Sequence, residues 1–259
     1  MEKGKNGPDS RGRPPAPNGT AGGADKEGAC GVQCADCTLD AICKLLDYAN
    51  GGSAVPDGVL LRERPVARGE TIFRIEDPFR SIFAVKSGSF KTLIPEAGGR
   101  EQVVGFYLPG ELLGAEGVTG GAYPCTARAL ESSRICELRM ERLPETGRPL
   151  EALQQGLIEI LGREVAFGHA LMASLIRQSA EQRIAAFILN LSRRLERRGL
   201  AGRVFVLTMS RADMGSYLGL ASETVSRVLA RFQKAGVLTL QKKQVQVHAP
   251  ERLADIANL

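Results

Sequence analysis

Tryptophan is absent from this 259-residue chain, and aromatic residues make up only 5% of it. Any core is therefore aliphatic, built from the Leu, Ile, Val and Ala within the 43% hydrophobic content. No stretch approaches the roughly 18 consecutive apolar residues of a membrane span. The first residues also lack the apolar run of a signal peptide. A cytoplasmic, reducing location is expected, and clustered cysteines there read as metal ligands or redox groups before disulfides. The length suits two modest domains. A net charge of +5 suits a nucleic-acid partner without requiring one.

Composition shifts divide the chain. Residues 1–26 are rich in Gly, Pro and charge and poor in large apolar side chains, which predicts a disordered tail. Residues 27–49 hold a cysteine segment, GACGVQCADCTLDAICKLL. Over 50–146, short apolar or alternating runs (TIF, SIFAV, FKTLI, QVVGFYL, RICEL) separated by Gly, Pro and Asp predict an antiparallel β sandwich or roll. Over 147–175 the apolar period lengthens. Leu157, Leu161, Val165, Gly168 and Met172 step by three or four along one stripe of a long helix, which suits either a core or pairing with a second copy. A second helix is expected from Ala180 to Arg198, closed by Gly199, within a last unit of 176–259.

That last unit carries a DNA-reading pattern. Ser210 with Asp213 reads as the capped start of a short helix, Gly219 as a turn, and Ala221 or Ser222 as the start of a second helix. Val225, Val228, Leu229 and Phe232 form its inner face, while Glu223, Ser226 and Arg227 lie on the other. Arg donates bidentately to guanine, Glu accepts from cytosine, and Ser does either. Two short strands around Lys242 and Lys243 outline a wing with phosphate contacts. Arg183, Arg193, Arg194, Arg197, Arg198, Arg203 and Arg211 add positive charge to this half. A three-helix bundle with a solvated charged face is the plainer alternative.

Four of the six cysteines, Cys30, Cys34, Cys37 and Cys43, fall within fourteen residues; Cys125 and Cys136 lie far downstream. Cys34-x2-Cys37-x5-Cys43 can present three thiolates to one soft or borderline centre, and a fourth must come from afar. Structural zinc, a radical enzyme using S-adenosylmethionine, and an iron–sulfur sensor all use clustered thiolates. Four-cysteine zinc sites draw on two short pairs, and only one is present. An iron–sulfur enzyme or electron carrier is the non-regulatory alternative.

From Cys30 to the end the chain resembles the cyclic-AMP receptor protein/FNR (fumarate and nitrate reduction) transcription factor family. Thr208–Leu238 resembles its recognition motif, E-x-x-S-R at Glu223, Ser226 and Arg227 is the pattern of the FNR branch, and AEQRIAAFILNLSRR is similar to that branch. The resemblance implies an α+β fold: an N-terminal antiparallel β-roll of the cyclic-nucleotide-binding type, a long dimerisation helix, and a C-terminal winged helix-turn-helix. It implies an oxygen-labile 4Fe-4S cluster on Cys34, Cys37, Cys43 and Cys136, the last on the late strand ARALESSRICELRMERL, with Cys30 not a ligand. Cys125 is expected to be a small buried hydrophobe. Thr38 and Ile42, beside ligands, are expected to tune the cluster. The resemblance further implies an oxygen-responsive activator and repressor, not an enzyme. It would act as a homodimer on double-stranded DNA at TTGAT-type inverted repeats, with RNA polymerase as partner.

Two departures stand out. Family members carry a carboxylate where Gly168 stands, so the iron-free chain is expected to pair more readily. Arg100, in the turn Ala97–Arg100, replaces an acidic residue in a turn that touches RNA polymerase in the family. No cyclic nucleotide is expected, because Tyr123, Pro124 and Cys125 stand where nucleotide-binding rolls carry an Arg-Ser or Arg-Thr pair for the phosphate. Glu111 and Arg128 are the nearby polar groups that such a ligand would still meet.

Overall fold

The computed structural model describes residues 31–45, 58–146 and 178–258, with the isolated helical positions 155, 158, 161, 162 and 165. The expected tail, Cys30, and the stripe positions Leu157, Gly168 and Met172 lie outside the described residues.

Between residues 60 and 139 the chain builds two antiparallel four-stranded sheets. One runs in the order β1 (Leu60–Val66), β8 (Ser133–Arg139), β3 (Ser81–Ser87), β6 (Leu112–Leu113). The other runs β2 (Thr71–Phe73), β7 (Thr126–Ala129), β4 (Phe90–Pro95), β5 (Glu101–Tyr107). A single helical turn, α2 (Gly117–Gly120), joins β6 to β7. The unbroken run SIFAV in β3 is buried throughout because both faces of the strand are covered. Phe83 and Val85 point between the sheets, into a core with Phe73, Phe90, Leu113, Tyr123 and Ile135. Ile82 and Ala84 point the other way, into a second core with Leu60, Leu112 and Leu138. That outer face is roofed by Leu39 and Ile42 of the cysteine segment, each 1% exposed.

The C-terminal unit comprises α3 (Ala180–Glu196), β9 (Val204–Val206), α4 (Arg211–Leu218), α5 (Ser222–Lys234), β10 (Leu238–Gln241), β11 (Gln244–Val247) and α6 (Pro250–Ala257). Capping boxes begin α3 (Ser179 with Gln182) and α4 (Ser210 with Asp213), each satisfying backbone N–H groups that the helix leaves orphaned. Val225, Val228, Leu229 and Phe232 are buried, as the α5 pattern requires. The strands order β10-β11-β9, and Lys242 takes φ 56° in the two-residue turn of the wing.

The roll and this unit share one core. Leu93, Val103, Phe106, Leu108 and Leu130 of the roll pack with Ile184, Phe187, Ile188, Leu191 and Tyr217. Phe106, Phe187 and Tyr217 meet with ring centroids 5.0 to 5.8 Å apart. Each such pair contributes about 0.5–1.5 kcal/mol beyond its burial. Polar ties cross the same seam. Lys91 Nζ pairs with Asp213 Oδ1 at 2.6 Å, and Ser216 Oγ accepts from the Val103 N–H at 2.9 Å. Glu111, nearly buried, accepts from Arg194 through Nε at 2.7 Å and through Nη2, and its second oxygen also accepts from the Leu108 N–H at 2.9 Å.

Breaking a buried pair strands the surviving charge, so Glu111→Ala is expected to destabilise the protein by about 3–5 kcal/mol. Arg100→Ala removes an exposed pair with Glu96 and should cost under about 1 kcal/mol. Urea unfolding of the two variants beside wild type checks both values. A similar midpoint for both would show that the Glu111 pair is not what ties the units.

Candidate metal centre and nucleic-acid interface

The cysteine segment is fastened to the roll before its thiols are placed. Val32, 1% exposed, donates its N–H to Lys86 O at 3.0 Å, and Gly31 bridges Ser87. A 3-10 turn, Cys34–Asp36, follows, and Cys37 N–H closes it on Cys34 O at 3.1 Å. Thr38 then stands on Gly110: its N–H and its Oγ1 both donate to the Gly110 carbonyl, at 2.9 and 2.5 Å. Helix α1 (Asp40–Leu45) begins next, and the burial of Leu39 and Ile42 leaves Cys43 half-buried beside them. Cys136 arrives from β8, paired in register with Ala84, on the face it shares with Leu138. Cys37, Cys43 and Cys136 therefore border one apolar core, with Cys34 exposed at its edge.

Cys34 and Cys136 lie close enough to Cys37 and Cys43 to oppose their ionisation. Burial pushes the Cys43 thiol up to about 12, and Cys37 and Cys136 push in the same direction. Burial also raises Cys37, and Cys136 and Cys34 add to it against the Arg198 guanidinium. Cations gather at the rim. Arg62 Nη2 donates to Cys34 Sγ at 3.0 Å, and Lys86 Nζ lies 3.7 Å from the same sulfur. Such a set favours a centre that supplies positive charge to thiolates.

Among the described residues, no three His, Cys, Asp or Glu side chains stand close enough to share one metal ion. Zinc at about 2.3 Å from each sulfur would need the sulfurs within about 4 Å of one another. A four-iron, four-sulfur cluster takes each of four thiolates on a different corner, so an all-cysteine set of wider spread suits it. The residues present fit that group by donor chemistry and by number.

At the other end of the chain, Glu223, Ser226 and Arg227 are all exposed on the first turns of α5. Ser222 Oγ donates to Glu223 Oε1 at 3.1 Å, Ser226 Oγ to Ser222 O at 3.0 Å, and Arg227 Nη2 to Thr224 Oγ1 at 3.2 Å. The backbone N–H and Ser222 hold the Glu223 carboxyl below the usual carboxylate range. Gly215 sets the helix crossing, because a Cβ there would lie 2.4 Å from Leu220 O. Lys242 and Lys243 are exposed on the wing.

Not all of the arginine charge that the sequence adds to this half faces outward. Arg194 is 6% exposed and committed to Glu111. Arg183 donates to Gln178 O and Leu218 O. Arg198 reaches the cysteine segment, donating through Nη1 to Asp36 O at 3.0 Å and through Nη2 to Thr38 Oγ1 at 2.7 Å. Arg193, Arg197 and Arg203 remain exposed. Sequence reasoning had no means of finding Arg198, since its partners lie some 160 residues away.

In the roll, Tyr123 stacks on Phe73 at 3.9 Å and donates to Ser81 O, and Cys125 is buried. Glu111 is paired with Arg194, and both Arg128 amino groups bind Glu101 at 2.9 Å. Of the expected stripe, Val165 is exposed, while Leu161 is half-buried against the core that Cys37, Cys43 and Cys136 border. Leu161, on a stripe that suited either a core or a second copy, thus contacts its own roll. Ile158, not singled out in the sequence, is exposed one turn away.

A β-roll packed on a winged helix-turn-helix, with the recognition helix exposed, is the architecture of a DNA-binding transcription regulator of the Crp type. Residues 182–256 match the Crp-like helix-turn-helix domain, and residues 63–146 match the cyclic nucleotide-binding domain. The chain is 43% identical over 216 residues to the transcriptional activator protein FnrA of Stutzerimonas stutzeri, covering 83% of this chain and 88% of that one. It is 36% identical over 232 residues to the fumarate and nitrate reduction regulatory protein of Escherichia coli K12, covering 90% and 93%. FixK2 from Bradyrhizobium japonicum superposes with a TM-score of 0.67 at 28% identity, over 75% of this chain and 96% of that one. The chain belongs to the FNR family of Crp-type transcription regulators, whose members are not enzymes. Among the described residues, no helix is long and apolar enough to cross a membrane.

The seat of the cysteine segment yields a test. Gly110 has φ +89°, and a Cβ there would meet Arg198 Cδ at 3.0 Å and Asp36 O at 3.1 Å. Left-handed backbone costs a residue with a Cβ about 1–2 kcal/mol. Gly110→Ala should therefore loosen the segment, and Cys37 in iron-free protein should react faster with a maleimide while buried Cys125 is unchanged. Equal Cys37 rates in wild type and variant would rule out this seat.

Proposed function

We propose that the protein is a cytoplasmic, oxygen-responsive regulator. It works as a homodimer, holds a 4Fe-4S cluster on Cys34, Cys37, Cys43 and Cys136, and reads TTGAT-type inverted repeats of double-stranded DNA. The observation that carries this reading is the gathering of four thiols, three from one short segment and one from β8, on a single face of a roll joined to a DNA reader. When bound, the cluster supplies a centre that dioxygen destroys.

The remaining steps belong to the chain's own residues. Leu39 and Ile42 hold the segment to the roll while its thiolates are ligated, and Arg62 and Lys86 offset negative charge at Cys34. Leu161 packs on the same core, and Ile158 and Val165 on the same helical stripe are 61% and 57% exposed. A second copy covers that apolar stripe, together with Leu157, Gly168 and Met172. Two recognition helices then face half-sites about 34 Å apart. Arg227 takes guanine, with Glu223 and Ser226 on neighbouring bases, and the wing lysines take phosphates. RNA polymerase is the partner at the promoter. Cyclic nucleotide plays no part, because Tyr123 fills the roll with an aromatic stack and Glu111 and Arg128 are committed to ion pairs.

Two measurements test this reading. Protein purified without oxygen should contain iron and sulfide, show a visible charge-transfer band that bleaches in air, and lose operator affinity as it bleaches. Absence of iron, or regulation that survives joint replacement of Cys34 and Cys136 by Ser, would overturn it. Arg227→Ala should weaken operator binding by about 1–3 kcal/mol with non-specific binding nearly unchanged, as read by fluorescence anisotropy at fixed salt. An equal loss on both DNAs would reduce Arg227 to a phosphate contact.

A further inference from the structure

Pairing of two chains is one way for the cysteine segment to reach the DNA reader, and the seam inside each chain offers another. The guanidinium of Arg198 lies just beyond the C-terminus of α3, the helix that opens the DNA-binding unit. It donates to Asp36 O and Thr38 Oγ1, on both sides of Cys37. The same two residues are pressed against Gly110, whose carbonyl accepts twice from Thr38. The next residue, Glu111, binds Arg194, one turn before Arg198 on α3. The C-terminal end of α3 is thus gripped at two points, by the roll through Glu111 on Arg194 and, just past the helix, by the cysteine segment through Arg198. The first grip is buried and does not depend on the segment. The second ends on atoms within one residue of a thiol that a metal centre would hold.

We propose that Arg198 is a positioning residue that couples the cysteine segment to the DNA-binding unit of its own chain. It makes the unit's setting depend on whether the segment is drawn around a metal centre. The fork geometry is what suits it. One planar guanidinium spans a backbone carbonyl and a hydroxyl held apart by Cys37, so any rearrangement around Cys37 breaks at least one of the two bonds. The Thr38 hydroxyl also donates to Gly110 as it accepts from Arg198, so loss of either contact slackens the other. Coupling between the two sites is a free-energy difference carried by these contacts, separate from the affinity of the two chains for each other.

This inference rests on the cluster reading, and its test separates the two. Full-length wild type, Arg198→Gln and Thr38→Val are reconstituted anaerobically with iron and sulfide. Iron content and thermal unfolding are measured, then dimer fraction by sedimentation, then operator affinity with and without iron. Wild type is expected to take up iron and to gain operator affinity with it. Arg198→Gln should match wild type in iron content and in dimer fraction in each state, yet its iron-dependent gain in affinity should be smaller by about fivefold or more. Thr38→Val should lose part of the same gain, and the double variant should lose no more than Arg198→Gln alone.

A wild type that takes up no iron overturns the cluster reading and this inference with it. A wild type that responds to iron while Arg198→Gln keeps the full gain overturns the inference alone. So does an equal loss of affinity with and without iron, which would make Arg198 a phosphate contact or a structural one. If Arg198→Gln unfolds or fails to load iron, the Thr38→Val ratio decides: a full iron-dependent gain in that variant overturns the inference.

Discussion

A carboxylate and a guanidinium taken out of water lose hydration worth several kcal/mol each, and only close mutual hydrogen bonding restores it. Glu111 and Arg194 stand in that position at the seam between roll and DNA reader. Glu111 also binds the Leu108 N–H, and Arg194 also binds Phe106 O at 2.5 Å, so both groups are held from more than one side. The pair fixes the rotation of α3 against the roll, and α3 in turn carries α4 and α5. Around it the Phe106, Phe187 and Tyr217 rings supply apolar contact area. Area alone would let the units slide, and the ion pair gives the contact one register.

The same loop joins the two ends of the protein's chemistry. Gly110 turns its carbonyl toward Thr38 because its backbone is left-handed, and Glu111, next in sequence, faces α3. Adjacent residues of one turn therefore serve the cysteine segment and the DNA-binding unit. The glutamate is committed to a protein arginine, and Tyr123 stacks on Phe73 in the core between the two sheets. On the outer face of the sheet, β3 and β8 present Ala84 and Cys136 beneath the cysteine segment.

Legibility from sequence followed the range of each interaction. Local patterns spoke clearly: the apolar face of α5, the cap pair Ser210 and Asp213, and the two strands of the wing lie where periodicity placed them. The family's fold and its DNA-reading unit were recognisable for that reason. Strand β1 was not, because five of its seven residues are at least partly exposed and Glu63 interrupts it at φ 52°. Helix α6 was not, although Pro250 at its first turn is a proper start signal, because it is a short helix with only Leu253 and Ala257 fully buried and Ala254 and Ile256 partly so. Arginines were the most misleading. Counted as charge they point to DNA, but Arg194 and Arg198 are used inside the protein.

The sequence alone determined which residues could form helices and strands and which face of each would be apolar, since those follow from periods of 3.6 and 2. It also put three thiols within reach of one another through their short spacing. The tertiary structure decided what sits opposite them. Packing of α1 on the outer face of the roll brings Cys136 to the other three thiols, and packing of α3 on the β4–β5 sheet turns Arg194 inward and sends Arg198 to Asp36 and Thr38. These pairings join residues 83 to 162 positions apart, and no local preference encodes them. They arise only when two surfaces, each apolar for its own local reasons, are forced together and the charges at their margins must find partners.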